Sequence, residues 1–240
     1  MSDTTPARAW RTVLEKIEGD LRAGTLGPGD RLPPERELAT TLGVGRSSVR
    51  EALRVLEVMG LIRTGTGSGP TAGAIVTATP SGGLAQFLRL QVAAQGFPIA
   101  DVVETRLLLE DWTVAHLAGD ANADLTDAAA TLRAMGDPAI GPEDFLALDA
   151  QFHLRMAEAT GNQIVSSTMG GLRTAIESYV LSGAEGIDDW RETVARLQRE
   201  HHGIVDAIAA GDPLLARERV HAHITGYYTQ TGLSAVRAEN

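Results

Sequence analysis

Residues Pro34-Glu-Arg-Glu-Leu-Ala-Thr-Thr-Leu-Gly-Val-Gly-Arg-Ser-Ser-Val-Arg-Glu-Ala-Leu-Arg-Val-Leu-Glu-Val-Met-Gly-Leu-Ile62 decide the fold of this chain. They predict two short helices around a tight turn. Pro34 suits the opening turn of the first helix, where a missing N–H costs no hydrogen bond, and Leu38, Ala39 and Leu42 fall on one face. Gly43 supplies the positive φ at which helices commonly end. Ser47 or Ser48 can cap the second helix, along which Val49, Ala52, Leu53 and Leu56 form an apolar stripe at i, i+3, i+4 and i+7. Arg46, Ser47, Ser48 and Arg50 are expected at its N-terminal end, facing away from that stripe. A recognition helix presents its base and phosphate donors from this position. With Arg36 on the first helix, the pattern is a helix-turn-helix.

Working outward, Trp10, Val13, Leu14, Ile17 and Leu21 recur at helical spacing over 7–23, and Gly24 ends that run. A turn-rich connector, 27–34, leads into the motif. On the other side, 61–63 and 74–77 have strand character and flank a Gly-rich tip at 64–73, which predicts a wing with Arg63 and Gly65 in or beside the minor groove. The Gly-x-Gly-x-Gly of the tip is followed by no helix and contains no lysine, so it is a weak phosphate cradle. Thr79-Pro-Ser-Gly-Gly83 is a short linker. Beyond it, seven apolar-periodic segments (84–94, 99–117, 121–135, 142–159, 163–181, 188–210 and 213 to about 232) are broken by Gly, Pro, Asp or Asn. The expected fold is therefore mainly α. A winged helix-turn-helix domain occupies 1–78, a linker 79–83, and an all-helical bundle of about seven helices 84–236.

Composition narrows the function classes. The 240 residues are 43% hydrophobic, enough for the cores of two ordinary domains. Without cysteine there are no disulfides or thiolate metal sites, so a metal must rest on His, Asp, Glu or water. No apolar run reaches membrane length and no charged-then-apolar leader opens the chain, which predicts a cytoplasmic protein with no membrane partner. The formal charge is −10, but residues 1–78 carry ten basic against nine acidic side chains, leaving −11 on the remainder. A near-neutral module with arginines on one helix, attached to an acidic bulk, fits a regulator that releases DNA readily. It does not fit a histone-like coat.

The helix-turn-helix resembles the GntR family of bacterial transcriptional regulators, whose pattern runs close to P-S-E-R-E-L-A, G-V-S-R, V-R-E-A-L, L-E and G-L. Two positions depart: Pro34 stands where the family usually has Ser, and Gly45 where it has Ser or Thr. The first bears on capping; the second removes a hydroxyl from the phosphate contacts. The resemblance implies a homodimer reading a near-palindromic double-stranded operator through paired winged helices.

In the second domain Asp149 and His153 lie four residues apart, on one helix face, and can share a cation. Spacing alone favours an ordinary hydrogen bond between them. Two further histidine pairs lie on the last two helices, where antiparallel packing around Gly211-Asp-Pro213 can bring them to one level. His201 and His202 are about 100° apart around their helix and His221 and His223 about 200°, so one of each pair can face a given point. The order of a winged helix followed by helices, with Val103-Glu-Thr-Arg106-Leu-Leu-Leu-Glu110, Asp149-Ala-Gln-Phe-His153, Gly161-Asn162, Glu200-His201 and Gly211-Asp212, is similar to the FadR subfamily with its FCD effector domain.

That resemblance implies the ligand set Asp149, His153, His201 and His223, with His202 and His221 solvated and His116 a helix-end residue. Three imidazoles and a carboxylate suit a divalent transition metal, zinc first, with nickel, manganese or iron also accommodated. It further implies a small carboxylate or sugar-acid effector held between the metal and Arg106, whose guanidinium can grip a carboxylate bidentately, with Asn162 as a further polar contact. Arg106 can equally pair with Glu110 at i+4. The same four ligands could serve a metal-dependent hydrolase or a purely structural metal. No convincing general base stands beside them, and neither a serine triad nor a cysteine nucleophile is present. The expectation is a transcriptional regulator, a repressor before an activator, and not an enzyme.

Overall fold

The computed structural model describes residues 6–65, 73–77, 83–94, 97–184 and 186–232; the wing tip at 66–72 and the linker residues 79–82 lie outside these. The chain divides into two units, Met1–Leu84 and Ala85–Asn240. In the first, helices α1 (Pro6–Arg22), α2 (Glu35–Leu42) and α3 (Arg46–Val58) precede strands β1 (Ile62–Gly65) and β2 (Gly73–Val76). Val13 and Ile17 of α1, Leu38 of α2 and Val49, Ala52, Leu53 and Leu56 of α3 meet Ile62, Ala74 and Val76 of the strands in one apolar core. Burying each Val, Leu or Ile among them stabilises the unit by roughly 1.5–3 kcal/mol.

Gly43 closes α2 at φ 63°, a left-handed conformation that costs glycine little, and its amide turns back onto the last carbonyls of α2. The expected serine cap of α3 is corrected. Gly45 is the N-cap and no side chain caps the helix, because α3 already starts at Arg46 and places both serines inside its first turn. The wing is an antiparallel pair in register from Ile62↔Val76 to Gly65↔Gly73, extended by a bridge from Arg31 to Ile75. Glu57 of α3 fastens it, accepting the backbone N–H of Thr64 at 3.0 Å as well as its hydroxyl.

The second unit holds α4 (Gly83–Ala93, its first two residues in the other unit), α5 (Ile99–Gly119), α6 (Thr126–Met135), α7 (Pro142–Ala159), α8 (Gln163–Ala184), α9 (Trp190–Ala209) and α10 (Pro213–Gln230). Helix α6 starts five residues later than the periodicity predicts. Asp120 and Asp124 accept the N–H groups of Asn122 and Thr126, and these local turns compete with helix. Helix α5 is central, packing against α7, α8, α9 and α10. Helices α9 and α10 form an antiparallel hairpin: Gly211 turns the chain at φ 70°, Asp212 caps α10 through Leu215 N–H, and side-chain bonds join Arg196 to Gln230, Glu200 to His223 and Arg219 to the Gly203 carbonyl. Tyr227 Oη donates to the Val180 carbonyl at 2.6 Å, tying α10 to α8. No described helix is long and apolar enough to cross a membrane.

Candidate metal centre and DNA-facing helix

Four polar side chains converge where α7, α9 and α10 meet. Asp149 and His153 come from one face of α7, between the buried Phe145, Phe152 and Met156. His201 lies in the stripe Thr193, Leu197, His201, Ile204 and Ile208 of α9, and His223 in the stripe Ala216, Val220, His223 and Tyr227 of α10. All four are buried, and one ligand atom from each lies within 4.8 Å of the others. His201 Nε2 is 2.9 Å and His223 Nε2 3.8 Å from Asp149 Oδ1, His153 Nε2 is 4.0 Å from Asp149 Oδ2, and the Nε2 atoms of His153 and His223 are 3.2 Å apart. A cation with bonds of about 2.0–2.2 Å would set neighbouring donors roughly 3–3.6 Å apart, close to this spacing.

The donor chemistry also fits a cation. Nδ1 of His153 meets Glu110 Oε2, and Nδ1 of His223 lies 2.9 Å from Glu200 Oε2. A carboxylate accepts, so each Nδ1 carries the proton and each Nε2 presents a lone pair. Lone pairs and a carboxylate facing one another in a sealed core repel unless a cation stands among them. The residues fit a divalent transition metal. Burial would raise the Asp149 carboxyl, but His201 and the other two histidines outweigh it and hold it well below the usual range. Burial, and then the neighbouring His223, push His201 down to about 4, which keeps its imidazole neutral as a ligand must be.

Arg106 is itself buried on the interior stripe of α5, which runs Val102, Arg106, Glu110, Thr113 and Leu117. Its Nε donates to Glu110 Oε1 at 2.6 Å, and its Nη2 lies 3.9 Å from Asp149 Oδ2. Arg106 thus pairs with Glu110 and also borders the cluster. Burial opposes the charged forms of this pair, yet His153 and Arg106 bring the Glu110 carboxyl down to about 2. Asn162 caps α8, its Oδ1 accepting the N–H groups of Ile164 and Val165. His202 and His221 are exposed, and His116 stacks on Trp112 near the end of α5.

The residue pattern puts Glu110 beside Arg106 and Glu200 before His201 but links neither to a histidine, and that link is what the structure adds. Each glutamate sits four residues after an arginine, but that spacing is common on solvated helix faces. Glu200 Oε1 accepts from Arg196 Nη1 at 2.6 Å while Oε2 faces His223, and the side chain borders a groove of about 970 Å³ between α9 and α10.

At the other end of the chain Arg36, Arg46, Ser47 and Arg50 are exposed, and Gly65 is half-buried at the end of β1. Ser48 corrects the expectation for its group. It is turned inward, because it lies one turn before Ala52 and beside Val49, on the flank of the packed stripe.

A winged helix with exposed arginines at the start of α3, joined to a helical domain built round a buried cluster of one aspartate and three histidines, defines a regulator with one nucleic-acid-binding unit and one regulatory unit. Residues 10–71 match the gntR family of bacterial regulatory proteins, and residues 101–226 match the FCD domain. The chain belongs to the GntR family, in the branch that carries an FCD domain, and is a DNA-binding transcriptional regulator. It is 30% identical to a protein of Escherichia coli K12 named for the L-lactate dehydrogenase operon, over 93% of this chain and 86% of that one. It is also 32% identical to the transcriptional repressor NanR of Citrobacter rodentium, over 88% and 81% of the two chains. The fold is shared with a GntR protein of Streptococcus agalactiae at a TM-score of 0.60 and 23% identity, covering 90% of this chain and 97% of the other. These relatives are regulators of transcription and not enzymes.

Proposed function

We propose that the protein is a cytoplasmic, homodimeric repressor that binds a near-palindromic operator through paired winged helices and responds to a small carboxylate at the Asp149, His153, His201 and His223 centre. The convergence of three imidazole Nε2 atoms and one carboxylate at one buried point, with Glu110 and Glu200 turning the Nε2 lone pairs of His153 and His223 inward, carries this reading. Zinc suits that set first, with nickel, manganese or iron as alternatives. An ion held by these four residues would supply positive charge and could accept a ligand oxygen. Arg106 supplies the second grip: its Nε is committed to Glu110, and its Nη2 edge borders Asp149. Burial opposes its charge, but Glu110 and the surrounding groups more than restore it, so the guanidinium stays charged. A carboxylate bound there shifts the regulator only by its preference for one arrangement of the two DNA-binding heads.

At the DNA, Arg46, Ser47 and Arg50 of α3, Arg36 of α2 and Gly65 of the wing form the contact set. Arg50→Ala is expected to abolish operator binding in a fluorescence-anisotropy titration while leaving the thermal midpoint unchanged; unchanged operator affinity would remove α3 from the recognition role. The regulatory reading is tested by metal analysis of the purified protein, followed by thermal unfolding against 2-hydroxy acids and sugar acids. Lactate goes first, because one relative is named for a lactate operon. Ligand binding to the folded state raises the midpoint, and the rise should vanish once metal is removed.

The burial of all four ligands supports a second reading, in which the ion only pins three helices together. His201→Ala separates the two. A folded variant that still binds operator but ignores the acid supports sensing, whereas a variant that no longer folds supports the pin.

A further inference from the structure

Two of the three histidines are each backed by the same construction. On α5, Arg106 Nε donates to Glu110 Oε1 and Glu110 Oε2 meets His153 Nδ1; on α9, Arg196 Nη1 donates to Glu200 Oε1 and Glu200 Oε2 meets His223 Nδ1. The third histidine differs. Its contact with Asp149 runs through Nε2, and its buried Nδ1 meets no carboxylate among the described residues, the ring being set against Phe152 with centroids 4.9 Å apart.

We propose that Glu110 and Glu200 are positioning residues that hold His153 and His223 in the Nδ1–H tautomer, so that both Nε2 lone pairs face the metal position before any ion arrives. This rests on the metal reading given above. Each carboxylate has one oxygen on a guanidinium and one on an imidazole, so both of its oxygens must accept. A glutamine in its place has one acceptor and one donor. Arginine cannot give up its proton, so the amide oxygen must turn to the arginine and the NH2 to the histidine. The imidazole proton is then driven from Nδ1 to Nε2, where it blocks the metal-facing lone pair. The two positions differ in severity. Glu110 is 2% exposed and shut off from water, whereas Glu200 is 28% exposed and water from the groove can replace a lost bond.

The test uses the full-length protein labelled with 15N-histidine. Long-range 1H–15N spectra of the metal-free form report the tautomer of each ring, and competition with a chromophoric chelator reports zinc affinity. The wild type is expected to show His153 and His223 as Nδ1–H. Glu110→Gln should convert His153 to Nε2–H and weaken zinc binding about 10–100-fold, the usual cost of removing an outer-shell partner. Glu200→Gln should shift His223 the same way with a smaller loss, roughly at the lower end of that range. A Glu110→Gln protein with His153 still Nδ1–H and zinc affinity within about twofold of wild type, well short of that range, overturns the proposal alone. Should that variant not fold, the same negative result for His223 in Glu200→Gln overturns it. A wild type that takes up no transition metal overturns this proposal and the metal reading together.

Discussion

Arg106–Glu110 and Arg196–Glu200 are one arrangement built at two depths. Both place an arginine four residues before a glutamate on a helix, and both end on a histidine of the cluster. The side chains of the first pair are 3% and 2% exposed, those of the second 31% and 28%. That difference decides the energetics. The inner pair has lost its hydration and holds its charges only by pairing, so breaking it leaves a bare charge in the core. The outer pair keeps water within reach, and water substitutes for whatever is removed.

The largest expected effect is therefore at Glu110. In urea unfolding of the metal-free protein, Glu110→Ala should cost about 3–5 kcal/mol, because buried Arg106 loses its closest carboxylate and keeps the longer 3.9 Å contact to Asp149. A loss below about 1 kcal/mol would mean that the inner pair is open to water in solution and the contrast fails.

Acidification comes next. The unfolded chain protonates His201 near 6.5, while burial and His223 hold the folded group at about 4. Stability is thus lost as pH falls below about 6.5, and the loss levels off near 4. Glu110 adds a second window. Against the pull of burial, His153 and Arg106 lower it from 4.5 to about 2, so its contribution is present above 4.5 and is lost as pH falls toward 2. His201→Asn should flatten the upper window, read as the shift in urea midpoint between about pH 7 and 5; an unchanged shift would show that His201 titrates freely.

Smaller still, Glu200→Ala should cost at most about 1 kcal/mol. A loss matching that at Glu110 would indicate that the groove beside it is closed. The smallest effect is a control. Arg173 and Glu177 share the spacing and nearly the exposure of the outer pair, at 32% and 29%, but the interactions of that pair include no histidine of the cluster. Glu177→Ala should change stability by about 0.5 kcal/mol or less and leave zinc affinity unaltered. Any gap in zinc affinity between the Glu200 and Glu177 variants then measures the histidine link itself.

These three arginine–glutamate pairs also mark what the sequence could and could not reveal. The winged helix was legible because its signals are local: Gly43 for the turn, Val49 to Leu56 for the stripe, and strand-forming runs on either side of a Gly-rich tip. Asp149 and His153 announced a shared face by their spacing, but the choice of His201 and His223 over their neighbours came from the family resemblance. The contacts of Glu110 and Glu200 with histidines stayed hidden, since Arg-x-x-x-Glu reads the same at 106, 173 and 196 and only the packing of other helices sets which copy is buried. Ser48 and the start of α6 escaped the sequence for a related reason. Moving the helix start by two or three residues, from a serine cap to Gly45, changes which way a serine points, and two aspartate turns were enough to hold 121–125 out of helix.

The hairpin of α9 and α10 gives the cluster a property of time as well as of place. Two donors ride on this hairpin and two on α7, far apart along the chain, so an ion among them acts as a removable cross-link between distant segments. His223 borders the groove between α9 and α10, but every donor is buried, so release of an ion is expected to need one of these helices to swing outward. Metal exchange would then run at the speed of local unfolding of α7, α9 or α10, and amide hydrogen exchange in whichever helix opens should share its rate.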